Sequence, residues 1–444
     1  MRKNTMDTVL RVRVRHVPGQ LARLAQAVAD QAALMGDIRT VGMQEEFTTR
    51  DVTVETDDET HLKKVIAAVN ALAGIDVLSI TDRVFECHRG GKIESKSRVS
   101  LKHLADLRYV YTPGVARVAL AIKQDPDQAF DYTSIGNSVG IFTNGTRVLG
   151  LGDIGPLASL PVMEGKAVLY DQFAGISATP ILVNSTDPEE FIETVMRVAP
   201  SFGGIHLEDI RIPDCFRIEN ELKRRLNKPV MHDDQHGTAT VALSAVINAC
   251  RLTGTKLHDA HVGQIGLGAA GSAIARLVMA FGVRQVSVAD RSTEAVASLV
   301  SAGASASDLA TVMRDCDIVI AATGRKGLIT PEMVRKGQVI FALSNPDAEI
   351  DPDTALKAGA AFASDGRSIN NALAFPGLFK GALLARSRSI TQEMMVVAAE
   401  TIAAKAAADE LVPHPLKADV HQAVTHAVRT KALAQGLERT ARPI

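Results

Sequence analysis

Residues 8–16 alternate between two faces, with Leu10, Val12 and Val14 on one and Arg11, Arg13 and Arg15 on the other. That period of two predicts a half-buried strand. Pro18-Gly19 breaks it, and Leu21, Leu24, Ala25 and Val28 then recur at helical spacing. Ile38, Val41 and Met43 mark a looser second strand, and Val52 and Val54 a third. Leu62, Val65, Ile66, Val69 and Leu72 draw a second amphipathic helix. Ile75, Val77 and Ile80 close with a fourth strand. The order β-α-β-β-α-β is the split βαβ arrangement of an α+β domain. No catalytic constellation falls within it.

The pattern differs after residue 260. In HVGQIGLGAAG a short apolar strand ends in Gly266-x-Gly268-x-x-Gly271, and a helix of Ala, Ile, Leu and Val follows. The first glycine permits a tight turn, the second lets the backbone approach a pyrophosphate, and the third lets helix and strand pack closely. A helix N-terminus then faces the phosphates. The run VRQVSVADRS ends a second strand at Asp290, whose carboxylate would accept the ribose hydroxyls of NAD and repel the 2′-phosphate of NADP. Arg284 and Arg291 lie close by and moderate that preference. DIVIAATG (Asp317 to Gly324) and QVIFALSNP (Gln338 to Pro346) add strand-like runs. Repeated strand–helix units predict an α/β fold with a doubly wound, Rossmann-type NAD-binding domain. The run from PGLFKGALLARSR through MMVVAAETIAAKAA has helical composition.

Between these two patterns lie polar runs unlike surface loops. YVYTPGVARV carries Tyr111, and TRVLGLGDIGPLASLPVMEGKAVLY carries Arg147, Asp153 and Lys166. FGGIHLEDI ends an apolar strand in Glu208 and Asp209. MHDDQHGTA sets Asp233 and Asp234 between His232 and His236, after an apolar turn into Pro229-Val230. Adjacent carboxylates repel unless something positive lies near. Glu208, Asp209 and Asp234 together make an oxygen-rich site for Mg²⁺ or Mn²⁺, and the lack of cysteine partners disfavours zinc.

Composition narrows the remaining classes. The formal net charge of −1 gives no global case for nucleic acid or an anionic membrane. The N-terminal MRKNTMDTVLRVRVRH is basic but lacks a secretory h-region, and no run of about 18 apolar residues reads as a membrane span. Cys87, Cys215, Cys250 and Cys316 lie far apart without a CxxC pair, which fits a reducing, cytoplasmic setting.

The first segment resembles the ACT domain family in the passage from His16 to Leu24 and in its element order. The resemblance implies a dimerisation module, one that in many relatives also binds a small effector. Fold alone leaves open a module that binds nothing.

Residues 90–444 resemble the malic enzyme family in its bacterial form. YTPGVA, GLGDIGPLASLPVMEGKAVLY, GGIHLEDI, HDDQHGTA, GLGAAG, ALSNP and INNALAFPG occur in that family's order. The resemblance implies oxidative decarboxylation of malate to pyruvate and CO₂ with NAD(P)⁺. It implies metal ligation by Glu208, Asp209 and Asp234, a general base at Lys166 tuned by Asp233, and a proton donor at Tyr111. Arg147 would bind the malate carboxylate. Asn345, Asn370 and Asn371 would make polar contacts to substrate, and Asn345 to the nicotinamide as well. Gly266, Gly268, Gly271 and Asp290 would hold the dinucleotide.

The chain departs from its bacterial relatives in reading GDIG for GNIG, Leu160 where a lysine is common, and His206 where asparagine is common. The expected organisation is an ACT-like regulatory domain over 1–88, a substrate and metal domain over 89–235, a Rossmann domain over 236–375, and C-terminal helices over 376–444 that pack on the substrate domain. A homodimer or higher homo-oligomer is expected. Two other readings use the same modules: a non-catalytic ligand sensor, which predicts disrupted catalytic positions, and a dehydrogenase of another 2-hydroxy acid.

Overall fold

Alternation along Met6–Arg15 builds the first strand, β1, with Leu10, Val12 and Val14 buried and Arg11, Arg13 and Arg15 exposed. The structure, a computed structural model, describes residues 6–148 and 150–438. It divides into two compact units, one ending at Glu94 and the next beginning at Ser95. In the first unit β2 (Leu34–Met43), β3 (Phe47–Thr56) and β4 (Ile75–Asp82) join β1 in an antiparallel sheet of order β2-β3-β1-β4. Helices Gln20–Asp30 and Glu59–Asn70 supply Leu24, Val28, Val65 and Val69 to one core with Leu10, Val12, Val14, Val52, Val54 and Ile75. Asp58 caps the second helix, its carboxylate accepting from His61 N at 2.8 Å. The β-α-β-β-α-β order therefore matches the periodicity.

Ile38, Val41, Met43 and Ile80 lie on the expected strands but are exposed. β2 and β4 are the sheet edges, and a register shift at Arg11/Val12 interrupts the β1–β4 ladder next to Ile80. The unit also runs past the 88/89 boundary drawn from the sequence. The helix Arg83–His88 packs on β1 and β4, and Lys92 Nζ donates to His88 Nε2 at 2.8 Å.

The second unit holds two parallel sheets. In the first, β5 (Ser138–Thr143), β6 (Ser177–Leu182), β7 (Gly204–Leu207) and β8 (Val230–His232) take the order β6-β5-β7-β8. In the second, β9 (His261–Ile265), β10 (Gln285–Ala289), β11 (Ser305–Ala306), β12 (Ile318–Ala321), β13 (Val339–Ala342) and β14 (Phe362–Asp365) take the order β11-β10-β9-β12-β13-β14. That order is the doubly wound one, its reversal falling beside the glycine-rich turn after β9.

The helix Asp233–Thr253 starts directly at the end of β8 and packs on the helix Ala269–Ala280 of the second sheet. It is buried nearly all round, so its mix of Ala, Val, Thr and Ser belongs to an interior helix rather than a surface one. One core runs from Ile141 and Met163 through Val241 and Ala245 to Ile274, Phe375, Met394 and Val424. The helix Phe375–Leu384 packs on Gly155–Ala174, and Gln392–Lys405 packs on Asp233–Thr253. No helix among the described residues is long and apolar enough to cross a membrane.

Candidate active site

The register of two short parallel strands assembles the site. Leu207 of β7 pairs with His232 of β8, so the residues that follow each strand, Glu208 and Asp233, emerge side by side. Asp209 adopts a left-handed backbone conformation, φ 54°, and its N–H donates to Asp234 Oδ2 at 3.0 Å. Such a φ is uncommon for a residue with a Cβ. Asp233 and Asp234 form the first turn of the helix Asp233–Thr253, where the macrodipole favours negative charge. Glu208, Asp209 and Asp234 each offer a carboxylate oxygen, all within 4.8 Å of one another. Asp209 Oδ2 is buried without a hydrogen-bond partner among the described residues. Burial, and then mutual repulsion with Glu208 and Asp234, pushes the Asp209 carboxyl up to about 8; burial likewise pushes Glu208 up to about 8. Converging oxygens, an orphaned acceptor and raised carboxyl pKa values fit a hard divalent cation.

Lys166 projects from the helix Gly155–Ala174 into the same place and is only 8% exposed. Its Nζ donates to Asp233 Oδ2 at 2.5 Å, lies 3.1 Å from Glu208 Oε1, and sits over the Phe375 ring 4.7 Å from its centroid. Burial works to lower its pKa, but Asp233 and Glu208 outweigh that and raise it. Complete burial pushes Asp233 up to about 6 against the pull of Lys166. A Cβ at Gly237 would stand 1.8 Å from Asp233 Oδ1 and 3.3 Å from Asn371 Cβ, so this glycine leaves room for the carboxylate. The two adjacent aspartates thus face different neighbours: Asp233 meets Lys166, and Asp234 meets Asp209.

Two buried groups behind these residues complete the frame. His206 of β7 lies between Tyr170 Oη, 2.8 Å from its Nδ1, and Glu208 Oε2, 2.6 Å from its Nε2. Burial lowers its pKa to about 4, so the ring is neutral. Glu219, on the helix Asp214–Arg225, accepts from His232 N at 2.9 Å and Gln235 Nε2 at 3.2 Å, and pairs with His236 Nε2 and Lys223 Nζ. It anchors the MHDDQH segment from behind.

A second cluster forms at the carboxyl ends of β9 and β10. Gly266 has φ 85°, and a Cβ there would lie 2.5 Å from Ala322 O; one at Gly271 would lie 1.9 Å from Gly266 O. A Cβ at Gly268 would meet nothing nearer than Ile212 Cδ1 at 3.5 Å, which leaves its backbone open to a ligand. The turn, the close approach and the helix–strand contact are therefore divided among the three glycines as the pattern predicts. Asp290 accepts from Leu267 N at 2.6 Å and Ser292 N at 2.8 Å, which places it beside that turn. Glu349 is fully buried and accepts from Thr323 N and Oγ1 and from Ser344 N and Oγ. It ties together the loops that follow β12 and β13, next to Asn345.

Lys166, Glu208, Asp209, Asp233 and Asp234 are thus brought together. Arg147 joins them through its backbone, its N–H donating to Asp209 O at 3.1 Å, and Asn371 through its approach to Gly237. Asn345 and Asn370 are exposed; Asn370 Oδ1 accepts from Ala372 N as a cap. Asp153 is also exposed. Tyr111 is not brought to the cluster: it is 71% exposed, and its hydroxyl has no described partner. It follows the helix Leu104–Val110, which buries none of its residues. Sequence reading noticed His206 as a departure without giving it a role, and it passed over Tyr170, Glu219, Gly237 and Glu349. The pairing of Gly237 with Asp233 one helical turn earlier was available as an i, i+4 signal; the others act through contacts between separate elements.

A profile of the malic enzyme N-terminal domain matches residues 90–223, and one of the malic enzyme NAD binding domain matches residues 285–433. A profile of the NAD binding domain of D-isomer specific 2-hydroxyacid dehydrogenases matches residues 231–331. NAD-dependent malic enzyme 1 of Bacillus subtilis is 52% identical over 430 residues, covering 96% of this chain and 98% of that one. NAD-dependent malic enzyme of Geobacillus stearothermophilus is 40% identical, covering 94% and 92%. The crystal structure of malic enzyme from Pyrococcus horikoshii superposes with a TM-score of 0.76 at 37% identity, over 81% of this chain and 92% of that one. With both domain profiles matched and that identity held along nearly its whole length, this chain belongs to the malic enzyme family.

Proposed function

We propose that the protein oxidises L-malate to pyruvate and CO₂ with reduction of NAD(P)⁺, with Glu208, Asp209 and Asp234 holding Mg²⁺ or Mn²⁺. The observation that carries this reading is the buried Lys166, paired with Asp233 at 2.5 Å and set against Glu208 of the carboxylate cluster. A cation held by Glu208, Asp209 and Asp234 would supply polarisation of the C2 oxygen of malate, and a dinucleotide held at the Gly266–Gly271 turn would supply the hydride acceptor.

Lys166 Nζ is assigned the proton of the C2 hydroxyl. A lysine needs a depressed pKa for that work. Burial works toward that depression against the pull of Asp233 and Glu208, and a cation held by Glu208 would weaken the second of these pulls. Asp233 fixes the direction of Nζ. Arg147, whose backbone adjoins Asp209, is assigned the malate carboxylate, a planar anion suited to a guanidinium fork. Asn370 and Asn371 are assigned polar contacts to substrate, and Asn345 contacts to both substrate and nicotinamide. After CO₂ leaves C3, the Tyr111 hydroxyl is assigned delivery of a proton to that carbon.

The dinucleotide is assigned to the Gly266–Gly271 turn, with Asp290 favouring NAD⁺ through the ribose hydroxyls. The N-terminal unit is assigned as an ACT-type regulatory module; its sheet order and helix placement support that reading. A homodimer is supported by the exposed apolar side chains of Leu101, Leu104, Tyr109, Tyr111 and Leu120, a kind of surface that marks interaction sites where it is contiguous. Such packing would give Tyr111 the ordered setting that proton delivery needs. A cytoplasmic setting is supported by free cysteines at Cys87, Cys215, Cys250 and Cys316.

The test is nicotinamide reduction with L-malate, Mg²⁺ or Mn²⁺, and NAD⁺ or NADP⁺ in parallel, with pyruvate assayed and EDTA as control. Cation-dependent reduction with matching pyruvate is expected. Reduction without pyruvate would mean a non-decarboxylating dehydrogenase. Lys166→Ala is expected to abolish turnover while sparing NAD⁺ binding, and near-normal turnover would remove Lys166 as the base.

A further inference from the structure

His206 is a fully buried imidazole whose two ring nitrogens are both engaged, one by Tyr170 and one by Glu208. An ionised Glu208, the form a cation selects, can only accept, so the ring nitrogen that faces it must carry the proton. Nε2–H then donates to Glu208 Oε2, and Nδ1 accepts from the Tyr170 hydroxyl. The ring cannot swing out of this line. Phe379 stacks along it at 5.8 Å, Phe375 meets it edge-on at 5.5 Å, and Tyr170 meets it edge-on at 5.6 Å. On the opposite side Glu208 Oε1 faces Lys166 Nζ at 3.1 Å. Each Glu208 oxygen therefore has one neighbour that sets its direction.

We propose that His206 is a positioning residue of the cation site: with Tyr170 it orients Glu208 so that the carboxylate presents its remaining lone pairs towards Asp209 and Asp234. The proposal rests on the assignment of Glu208, Asp209 and Asp234 as cation ligands. It accounts for a ring whose two nitrogens engage Tyr170 and Glu208 at once. A side chain with a single amide ends closer to the backbone and reaches less far towards Tyr170 and Glu208. Outer partners that orient a ligand in this way typically set metal affinity within a range of ~10–100-fold.

The experiment measures Mn²⁺ binding to the full chain by the paramagnetic signal of the free ion, without malate, and NAD⁺ binding on the same samples. His206→Phe removes both hydrogen bonds while keeping a flat ring between the aromatics. It is expected to raise the Mn²⁺ Kd by ~10–100-fold with the NAD⁺ Kd unchanged. His206→Asn keeps an N–H donor with shorter reach and should fall between wild type and His206→Phe. Tyr170→Phe keeps the imidazole but frees its Nδ1, and should weaken Mn²⁺ by less than His206→Phe. Wild-type Mn²⁺ affinity in His206→Phe, with NAD⁺ binding intact, would overturn the proposal. Should His206→Phe lose NAD⁺ binding as well, His206→Asn and Tyr170→Phe decide, and unchanged Mn²⁺ affinity in both would overturn it. Wild-type protein that binds no Mn²⁺, or Asp234→Asn that binds it as tightly as wild type, would instead remove the cation-site assignment on which the proposal stands.

Discussion

At the scale of single residues, the site depends on what is missing as much as on what is charged. Gly237 carries no side chain because Asp233 folds back over it, one turn along the same helix. Gly237→Ala must push Asp233 Oδ1 aside and so misdirect Lys166. A displacement of about 1 Å at a reacting group costs on the order of 10²-fold in rate. We expect kcat to fall by about that factor with little change in the KM for NAD⁺, measured by steady-state kinetics. A kcat near that of wild type would show that the Asp233–Lys166 alignment is dispensable. The HDDQHG run was legible as chemistry, since its charges stand out in any reading. The reason for its glycine was not, because it depends on where one carboxylate turns after the helix has formed.

At the scale of elements, the helix Asp214–Arg225 holds the MHDDQH segment through one buried carboxylate. Burial works to raise the pKa of Glu219, but His236 and Lys223 reverse that and hold it below the ordinary glutamate value. The sign follows from the depressed folded pKa. Glu219 contributes stability that is complete above the ordinary glutamate pKa, and that contribution is lost as pH falls from there through the folded value. Glu219→Gln is expected to cost about 3 kcal/mol at pH 7, the penalty for breaking a buried charged network. The gap from wild type should close as the pH is lowered below about 4. Urea unfolding at several pH values measures it, and a gap independent of pH would rule out the charge as the cause.

The end of β10 makes a second element-scale case. Asp290 already holds Leu267 N of the glycine-rich turn, so it shapes the turn to which the dinucleotide is assigned. Asp290→Ser is expected to shift the ratio of kcat/KM for NAD⁺ over NADP⁺ toward NADP⁺ by about tenfold, roughly one charge-assisted hydrogen bond. An unchanged ratio would take Asp290 out of cofactor selection. Period and punctuation revealed β9, β10, β12 and β13, because each is a run of apolar residues closed by glycine, aspartate or proline. They did not reveal β8, which is three residues long and read as a turn, nor β11 and β14. A strand that short has no period to detect; it exists because a neighbouring strand offers a ladder.

Across the whole molecule, the carboxylate cluster sits where one continuous core passes from the first parallel sheet to the second. A cation bound at that seam stabilises the folded chain by mass action. With Mn²⁺ at about 100 times its dissociation constant, the gain is about 2.7 kcal/mol, and the melting temperature should rise by a few degrees. Thermal unfolding with Mn²⁺ and with EDTA measures the shift. The shift should vanish in Asp234→Asn; its persistence there would place the stabilising cation elsewhere.

Local pattern alone determined much of this protein. It specified a β-α-β-β-α-β unit at the front, a dinucleotide turn with three distinct uses of glycine, and the acidic residues Glu208, Asp209 and Asp234 as one oxygen-rich group, whereas the partnership of Lys166 with Asp233 came from the family resemblance. Those features are written in residues close together along the chain, where periodicity and backbone sterics act directly. Only the tertiary structure decided how they meet. The pairing of Leu207 with His232 set Glu208 beside Asp233, and the packing of Phe375 and Phe379 closed the space in which His206 spans from Tyr170 to Glu208. Tyr111, a motif residue as plain as Lys166 in the sequence, lies on an exposed segment. Strand register and side-chain packing arise between segments remote in sequence, and their free energies depend on partners that no local window contains.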